Sequence, residues 1–483
     1  MSGMFFSCQK NIEMFKDSLG NSFDIIHKNF EIEGLNYAIL YIKTLIDNEL
    51  LAKAILAPLY AQTKSLSLEE IKNNVIRLGD MQIQTNKDEV ITALLDGKVA
   101  VFSDKENICL LIDIKSLPIR APTEPPTSAV IYGPRVGFTE RVDTNLAMLR
   151  RRLPTADFVV ENFEVGKYTK TKVLVCHIKS IASSKTVKDI CKKIQDINID
   201  GVVDSNYILT YFQNSASIFK RVGVAEKPDI ITAKLLEGRV AILVDGSPIV
   251  LTLPFMVFED IQNSNDYYSN AIYSSILRVI RLLGIFIAVV LPGLYLALRL
   301  YHFKVLPLRF LITISNTTEG LPFTPFMEML FILILFQILY EVSLRLPQYL
   351  GLATSIVGAL ILGQTGVSAG LISPPGVVII AMSIIAVYTV TDQVSQFTIL
   401  RAVFLLIGGT VGILGIVGVM LYFVHELATL NQYGTSYLAP YAPRKPNDLK
   451  DGIFKQAVNR MDRRPDSIPT KNKIRQRHTG GKK

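Results

Sequence analysis

Leu94-Leu-Asp-Gly-Lys-Val-Ala-Val recurs as Leu235-Leu-Glu-Gly-Arg-Val-Ala-Ile, 141 residues further along the chain. Working outward, Ile42-Lys-Thr-Leu matches Ile178-Lys-Ser-Ile at an offset of 136, and Asp24-Ile-Ile-His-Lys-Asn-Phe-Glu-Ile matches Asp157-Phe-Val-Val-Glu-Asn-Phe-Glu-Val at 133. Matches that keep their order while the offset grows slowly are what duplication followed by small insertions leaves behind. Each copy sets β-rich runs (37–42, 173–178) before helical patterns polar on one face (47–60, 186–196), and each closes on a strand pair. In the second copy Asp245-Gly-Ser-Pro is a hairpin signal between those strands. Two related α/β units are expected, over 23–119 and 157–258, and superposition of the two aligns Gly97 with Gly238.

The chain has 483 residues, room for roughly three domains at about 150 residues each. Beyond about residue 270 the charges thin out, and 277–298, 327–346, 350–391 and 398–424 are long apolar stretches. A hydrocarbon core about 30 Å thick takes about 20 helical residues to cross, so these stretches point to a bilayer. The expected organisation is an N-terminal extension (1–22), a first α/β subdomain (23–119) and a connector (120–156). A second α/β subdomain (157–270), a multi-span membrane domain (271–428) and a basic tail (429–483) follow. No basic region followed by an apolar run and a small-residue cleavage site opens the chain, so no secretory signal is expected and the first 270 residues are placed in the cytosol.

Within the connector, Ala121-Pro-Thr-Glu-Pro-Pro favours an extended path, and 139–152 reads as a helix with Arg150, Arg151 and Arg152 in its last turn. That arginine cluster could hold phosphate or lipid headgroups, or be the solvated end of a helix. In the membrane part, the first span is 277–298, with Arg278 and Arg281 at its cytosolic entrance. Gln337, Glu341 and Arg345 recur every four residues and share one face of 327–346. Charge facing lipid is costly, so this segment is expected as an amphipathic helix that does not cross. Spans at 350–368, 376–391 and 398–424 complete four crossings, the even number that a cytosolic front and a cytosolic tail require. Gly408, Gly412 and Gly415 fall on one helix face, where small residues permit close packing. Thr354, Gly358, Ile361, Thr365 and Ser368 also share a face, small and partly hydroxylated, which suits either a dry helix contact or water-facing positions.

The net charge of +9 resides in the tail, since residues 441–483 carry thirteen Lys/Arg against four Asp/Glu. Directly after a span, such a tail points to cytosolic retention and anionic lipid rather than nucleic acid. Its repeated prolines suggest disorder or a loose association with lipid. The four cysteines (Cys8, Cys109, Cys176, Cys191) are widely spaced and form no CxxC pair. The five histidines are scattered, and no phosphate-binding loop, dinucleotide fingerprint, zinc-protease or nucleophile-elbow motif occurs. An enzyme is not expected, nor a cofactor or metal.

Several motifs carry a family resemblance over about 25–470: Tyr132-Gly-Pro-Arg-Val-Gly-Phe-Thr-Glu, Thr144-Asn-Leu-Ala-Met-Leu-Arg-Arg-Arg-Leu, Pro292-Gly-Leu-Tyr, Leu344-Arg-Leu-Pro, Ile356-Val-Gly-Ala-Leu-Ile-Leu-Gly-Gln, Gly370-Leu-Ile-Ser-Pro and Tyr437-Leu-Ala-Pro. With them the chain resembles the GerA family of spore germination proteins, A-subunit type. The motif residues Gly133, Pro134, Arg135, Gly137 and Phe138 follow the family, while Val136 stands where a second acidic residue is usual and Tyr441 where a Phe is usual. The resemblance implies a protein of the spore inner membrane that works with a multi-span B subunit and a C-subunit lipoprotein. It also implies a homo-oligomeric ion channel opened by nutrient, with the face from Thr354 to Ser368 as candidate pore lining and Ile361 as its constriction. An amplifying paralogue without its own nutrient and a non-conducting membrane scaffold are the alternatives.

Overall fold

The computed structural model describes residues 4–116, 133–213, 217–345, 363–390 and 393–476. The first unit begins with helix α1 (Cys8–Ser18), followed by strands β1 (Ile25–Ile32) and β2 (Leu35–Ile42). Helical runs over 48–60 and 68–75 lead to β3 (Met81–Gln84), α2 (Lys87–Leu95), β4 (Lys98–Ser103) and β5 (Cys109–Asp113). The second unit repeats the series as α3 (Val142–Arg152), β6 (Phe158–Val165), β7 (Thr171–Ile178), α4 (Ser184–Gln195), α5 (Ser205–Phe212), β8 (Gly223–Ala225), α6 (Pro228–Leu236), β9 (Val240–Val244) and β10 (Val250–Leu253).

The two five-stranded sheets have the same strand order, β1-β2-β4-β5-β3 and β6-β7-β9-β10-β8. The registers coincide as well. Leu40 opposes Ala100 as Cys176 opposes Ala241, and Val99 opposes Ile112 as Val240 opposes Leu253. All strands are antiparallel, yet β2, β4 and β9 are apolar nearly throughout, because helices cover both faces of each sheet. In the first sheet the 48–76 helices bury one face and α1 with α2 the other; in the second, α4 and α5 bury one face and α3 with α6 the other. Burying one such side chain, Phe158 for instance, contributes about 1.5–3 kcal/mol.

The duplication reaches further than the three matched blocks. Asn11 in α1 clamps the backbone of Phe5, accepting from its N–H (2.8 Å) and donating to its carbonyl (2.7 Å). Asn145 in α3 does the same to Thr139 (2.8 and 2.5 Å). Residues 8–18, expected in an extension outside the repeat, are therefore the counterpart of the connector helix, and Phe15 is fully buried in the first core. Gly97 and Gly238 both adopt positive φ (+91° and +98°), which lets α2 and α6 turn directly into β4 and β9.

A buried cation joins the two units. Arg150, 2% exposed, donates to Asp24 through Nε (2.9 Å) and Nη2 (2.7 Å), to Ser22 Oγ (2.7 Å) and to the Phe158 carbonyl (2.7 Å). Neither reading of the arginine cluster describes it, since this side chain is neither solvated nor open to phosphate. It points inward from α3 and spends most of its donors on the first unit, while Arg151 remains at the surface.

The helical part opens with α7 (Ala271–Val289) and α8 (Leu291–Leu300), two helices where one span was expected. They are followed by α9 (Leu308–Thr318), α10 (Pro325–Arg345), α11 (Pro374–Val387), α12 (Val394–Thr410) and α13 (Ile413–Thr429). The expected span 398–424 is broken between α12 and α13, where Gly412 has φ +78°. Two helices among the described residues are long and apolar enough to cross a membrane, α7 and α10. The second is the segment expected not to cross. Its Glu341 and Arg345 neutralise each other as an exposed i,i+4 pair (2.6 Å), and Gln337 is half-buried, so the polar face is confined to the last turns. α8 and α12 cross so closely that a Cβ on Gly293 would lie 2.1 Å from the Phe404 carbonyl, and one on Gly408 2.2 Å from that of Gly293. The single glycine face expected over 408–415 is not formed: Gly408 meets α8, Gly412 meets the Tyr301 ring, and Gly415 lies against Ile407 and Val411.

The tail, expected to be disordered or loosely held to lipid, is folded over 431–476. Ile468, 1% exposed, packs with Met256 and Ala439, and Met461 is buried at 5%. Its prolines shape a compact path along the second unit rather than preventing structure.

Replacing Arg150 with Met leaves the Asp24 carboxylate buried without its countercharge and should destabilise the sheet units by about 3–5 kcal/mol. Near-UV circular dichroism melts of the purified chain check this. Adding Asp24→Leu to the Met variant should restore most of the loss.

Candidate functional site

The sheet units, the bundle and the tail meet where β10 ends. From Leu253 the chain passes through two short helices, Val257–Asp260 and Ser264–Tyr268, into α7. Asp266, with no exposed surface, is the centre of this junction. It accepts from Arg278 Nε (3.0 Å) and from Arg281 Nη1 and Nη2 (2.8 Å each). Burial alone would raise its pKa, but the bonds from Arg281 and Arg278 outweigh that and hold the carboxyl below its ordinary range. Arg278 also donates to the Asp451 carboxylate and carbonyl (3.0 and 2.9 Å), and Lys455 Nζ reaches the Asp266 carbonyl (2.6 Å). The two arginines expected at the cytosolic entrance of the first span thus form a buried network that clips the tail to the base of α7.

A second network lies beside it. Arg239, from the repeated glycine block, is 3% exposed and donates to the Pro254 carbonyl (2.8 Å), to Glu237 (3.2 Å) and to Glu259. Lys234 Nζ stands 3.0 Å from the same Glu259. Burial raises the Glu259 pKa, and the adjoining Arg239 and Lys234 lower it by more. A cavity of about 330 Å3 opens here, lined by groups of both signs, Lys220, Lys234, Asp229 and Glu259 among them, and by the Tyr267 ring. The start of β9 is in this way tied to the chain that enters the bundle.

The glycine-proline-arginine motif reaches the same place. Gly133 packs on the Tyr268 ring so closely that a Cβ would come within 2.5 Å, and Tyr268 donates to Asp229 (2.7 Å). Gly137 and Phe138 are buried, and the Phe138 N–H bonds the Glu226 carbonyl (2.8 Å), while Pro134 and Arg135 are nearer the surface.

Of the candidate pore residues, Thr354, Gly358 and Ile361 lie outside the described residues. Thr365 and Ser368 fall in a helical stretch, 363–368, and both are exposed. The turn after it is anchored by a carboxylate that sequence reasoning missed. Glu328, with no exposed surface, accepts from the Ser373 N–H (2.7 Å) and hydroxyl, and from Arg299 at 3.3 Å. An acid at the start of the apolar run 327–346, far from the polar residues at its other end, was the available signal. Among the described residues no group of three or more His, Cys, Asp or Glu is placed to hold a metal ion.

A duplicated pair of α/β units is bound through buried ion pairs to an apolar helix bundle. The family model described as Bacillus/Clostridium GerA spore germination protein matches residues 13–467, and the chain belongs to that family. It is 32% identical over 481 residues to spore germination protein KA of Bacillus subtilis, covering 97% of this chain and 88% of that one. It is 31% identical to spore germination protein B1 of the same organism, covering 97% and 99%. The B. subtilis membrane protein YfkQ is 32% identical, with 92% and 87% covered. The crystal structure of the N-terminal domain of the A subunit of the Bacillus megaterium spore germinant receptor GerK3 aligns at 28% identity and a TM-score of 0.40, covering 52% of this chain and 96% of that chain.

His177 on β7 sits under the tail, 8% exposed, its Nδ1 without a partner among the described residues. Burial, then the ammonium groups of Lys471 and Lys179, lower its pKa from 6.5 to about 4. The unfolded chain takes up this proton below about pH 6.5 and the folded chain does not, so stability present above that pH is lost as pH falls toward 4. Between pH 7.5 and pH 5 the wild type should lose about 2 kcal/mol through this residue. Urea midpoints of wild type and His177→Leu at the two pH values measure it, and the variant should lack that share of the pH dependence.

Proposed function

We propose that the chain is the A subunit of a nutrient germinant receptor, a non-enzymatic membrane protein that converts nutrient sensing into ion release at the start of spore germination. The observation that carries this reading is the match to the germination family over 13–467, which takes in the sheet units, the bundle and the tail together.

Physical features of the bundle support a membrane setting. Its outer face exposes Ile272, Leu283, Ile385, Leu414 and Leu421 at 73%, 56%, 69%, 79% and 65%, the surface that a bilayer would cover. Glu328 faces inward and is paired with Arg299, as an ionisable group in hydrocarbon must be. The bundle starts and ends beside the second sheet unit, which supports a reading with both ends on one side of the membrane and an even number of crossings. Four crossings, a cytosolic placement of the sheet units and tail, and location in the inner membrane of the spore belong to this proposal. So do a multi-span B subunit and a lipoprotein C subunit as partners.

The conducting element in this reading is the segment from Thr354 to Ser368, contributed by each copy in a ring, with Ile361 as an apolar constriction that gates by dewetting. Replacing Ile361 with Ser should ease wetting and give ion release and germination without nutrient, at normal subunit levels in the membrane. Spore germination assays without nutrient, with bilayer conductance of the purified receptor, check this. Normal assembly with no leak counts against this face as the gate. Conductance that stays nil with every partner present favours a non-conducting scaffold.

A further inference from the structure

In the first sheet unit the chain leaves β5 and at once closes the sheet on itself. Lys115 bridges Ile46, the Ser116 N–H bonds the Leu45 carbonyl (3.0 Å), and Lys115 packs over Gly97. In the second unit the same three relations are made by residues far along the chain. Thr470 bridges Ala182, the Lys471 N–H bonds the Ile181 carbonyl (2.8 Å), and Thr470 packs over Gly238. Leu45 and Ile46 correspond to Ile181 and Ala182, and Gly97 to Gly238, by the offsets that relate the sheets. The offset is 141 residues through Ile112 and Leu253, the last matched strand positions, and becomes 355 at Lys115 and Thr470. The helix bundle is therefore inserted within the second α/β unit, between its last strand and its closing segment.

We propose that the second sheet carries a slot for an extended chain, that the tail from about 464 to 473 is its occupant, and that this attachment couples the sheet to both ends of the bundle. The slot is lined by backbone carbonyls: Leu236 accepts from Arg464 Nε (2.7 Å), Ile181 from the Lys471 N–H, and Lys179 from Lys471 Nζ (2.8 Å). The strand side of the tether is the chain from Leu253 through Asp266 into α7. On the tail side, Asp451 grips Arg278, and Tyr437 bonds back to the Val257 N–H (3.1 Å), so α13 returns onto the chain that enters α7. A sheet held at one point only could turn without moving the helices. Held through both its last strand and its closing segment, it carries the base of α7 with it. The copy that closes on itself has no such lever, because its residues 115–116 lead to the connector.

The sequence twin makes the test internal. Lys471→Pro removes the N–H that bonds Ile181, and Ser116→Pro removes the equivalent N–H in the copy unattached to the bundle; Lys471→Arg keeps the N–H and a cationic donor for the Lys179 carbonyl and is the conservative control. In the full chain within its membrane, hydrogen exchange over 464–476 and over 271–275 at the start of α7 should rise at least tenfold in Lys471→Pro and stay near wild type in the other two. Unchanged exchange in the tail overturns the slot, and a loosened tail with an unchanged α7 start overturns the coupling. An equal rise at the α7 start in Ser116→Pro also overturns the coupling, because the lever would then not be specific to the inserted copy. These readouts do not depend on the receptor reading. Resting on that reading, the nutrient response should fall at least tenfold in Lys471→Pro alone at normal subunit level. A normal response with the tail demonstrably loose would overturn the coupling as the route of the signal.

Discussion

The guanidinium of Arg150 has almost no contact with water, and the arrangement of the two sheet units rests on it. Such a charge is tolerable only if every strong donor direction finds an acceptor, and here the acceptors come from both units: Asp24 and Ser22 from the first, the Phe158 carbonyl from the second. The Ser22 hydroxyl in turn accepts from the Val160 N–H (3.0 Å), and the Phe23 N–H bonds the Val160 carbonyl (3.0 Å), so the edge of the second sheet is held beside the first strand of the other. Displacing one unit would strand a charge on each side. The direction of these bonds thereby helps to fix the relative position of the sheets.

From that fixed pair, constraint passes outward through charges of the same kind. Asp266 with Arg278 at the base of α7, Arg239 with Glu259 at the start of β9, and Glu328 with Arg299 inside the bundle each pin one element to another. All are buried pairs, whose value is directional: an apolar replacement could match their stability but would not fix one geometry. For a protein whose proposed work is to relay a change from one part to another, rigid junctions between otherwise separate cores are the useful property. The close crossing of α8 and α12 at Gly293 and Gly408 serves the same end by backbone contact.

Much of the sheet architecture was legible because duplication writes the same pattern twice, and a strand pattern seen twice in one order is hard to mistake. The full extent of the repeat was less so. Asn11-Ile-Glu-Met-Phe and Asn145-Leu-Ala-Met-Leu are weakly alike as strings, and only the shared clamp on the backbone six residues earlier identifies them as one element. In the helical part, apolar composition marked where helices lie but not where they break, since Val290 and Gly412 interrupt runs that are apolar on both sides. Polar spacing set Gln337, Glu341 and Arg345 at four-residue intervals, and only the structure shows that Glu341 and Arg345 pair with each other.

By itself the sequence determined the duplicated α/β pattern, the apolar bundle and the motifs that carry the family, because these depend on periodicity and composition within short windows. Which charges are functional joints, and that the tail belongs to the second sheet, only the tertiary structure decided. Arg150 and Arg151 are adjacent and alike in sequence, and one turns inward while the other faces solvent because helix phase meets a carboxylate 126 residues away. Thr470 and Lys471 have no local signature of a closing segment. Their role comes from a slot shaped by Ile181, Ala182 and Gly238, across an inserted bundle that no local reading can bridge.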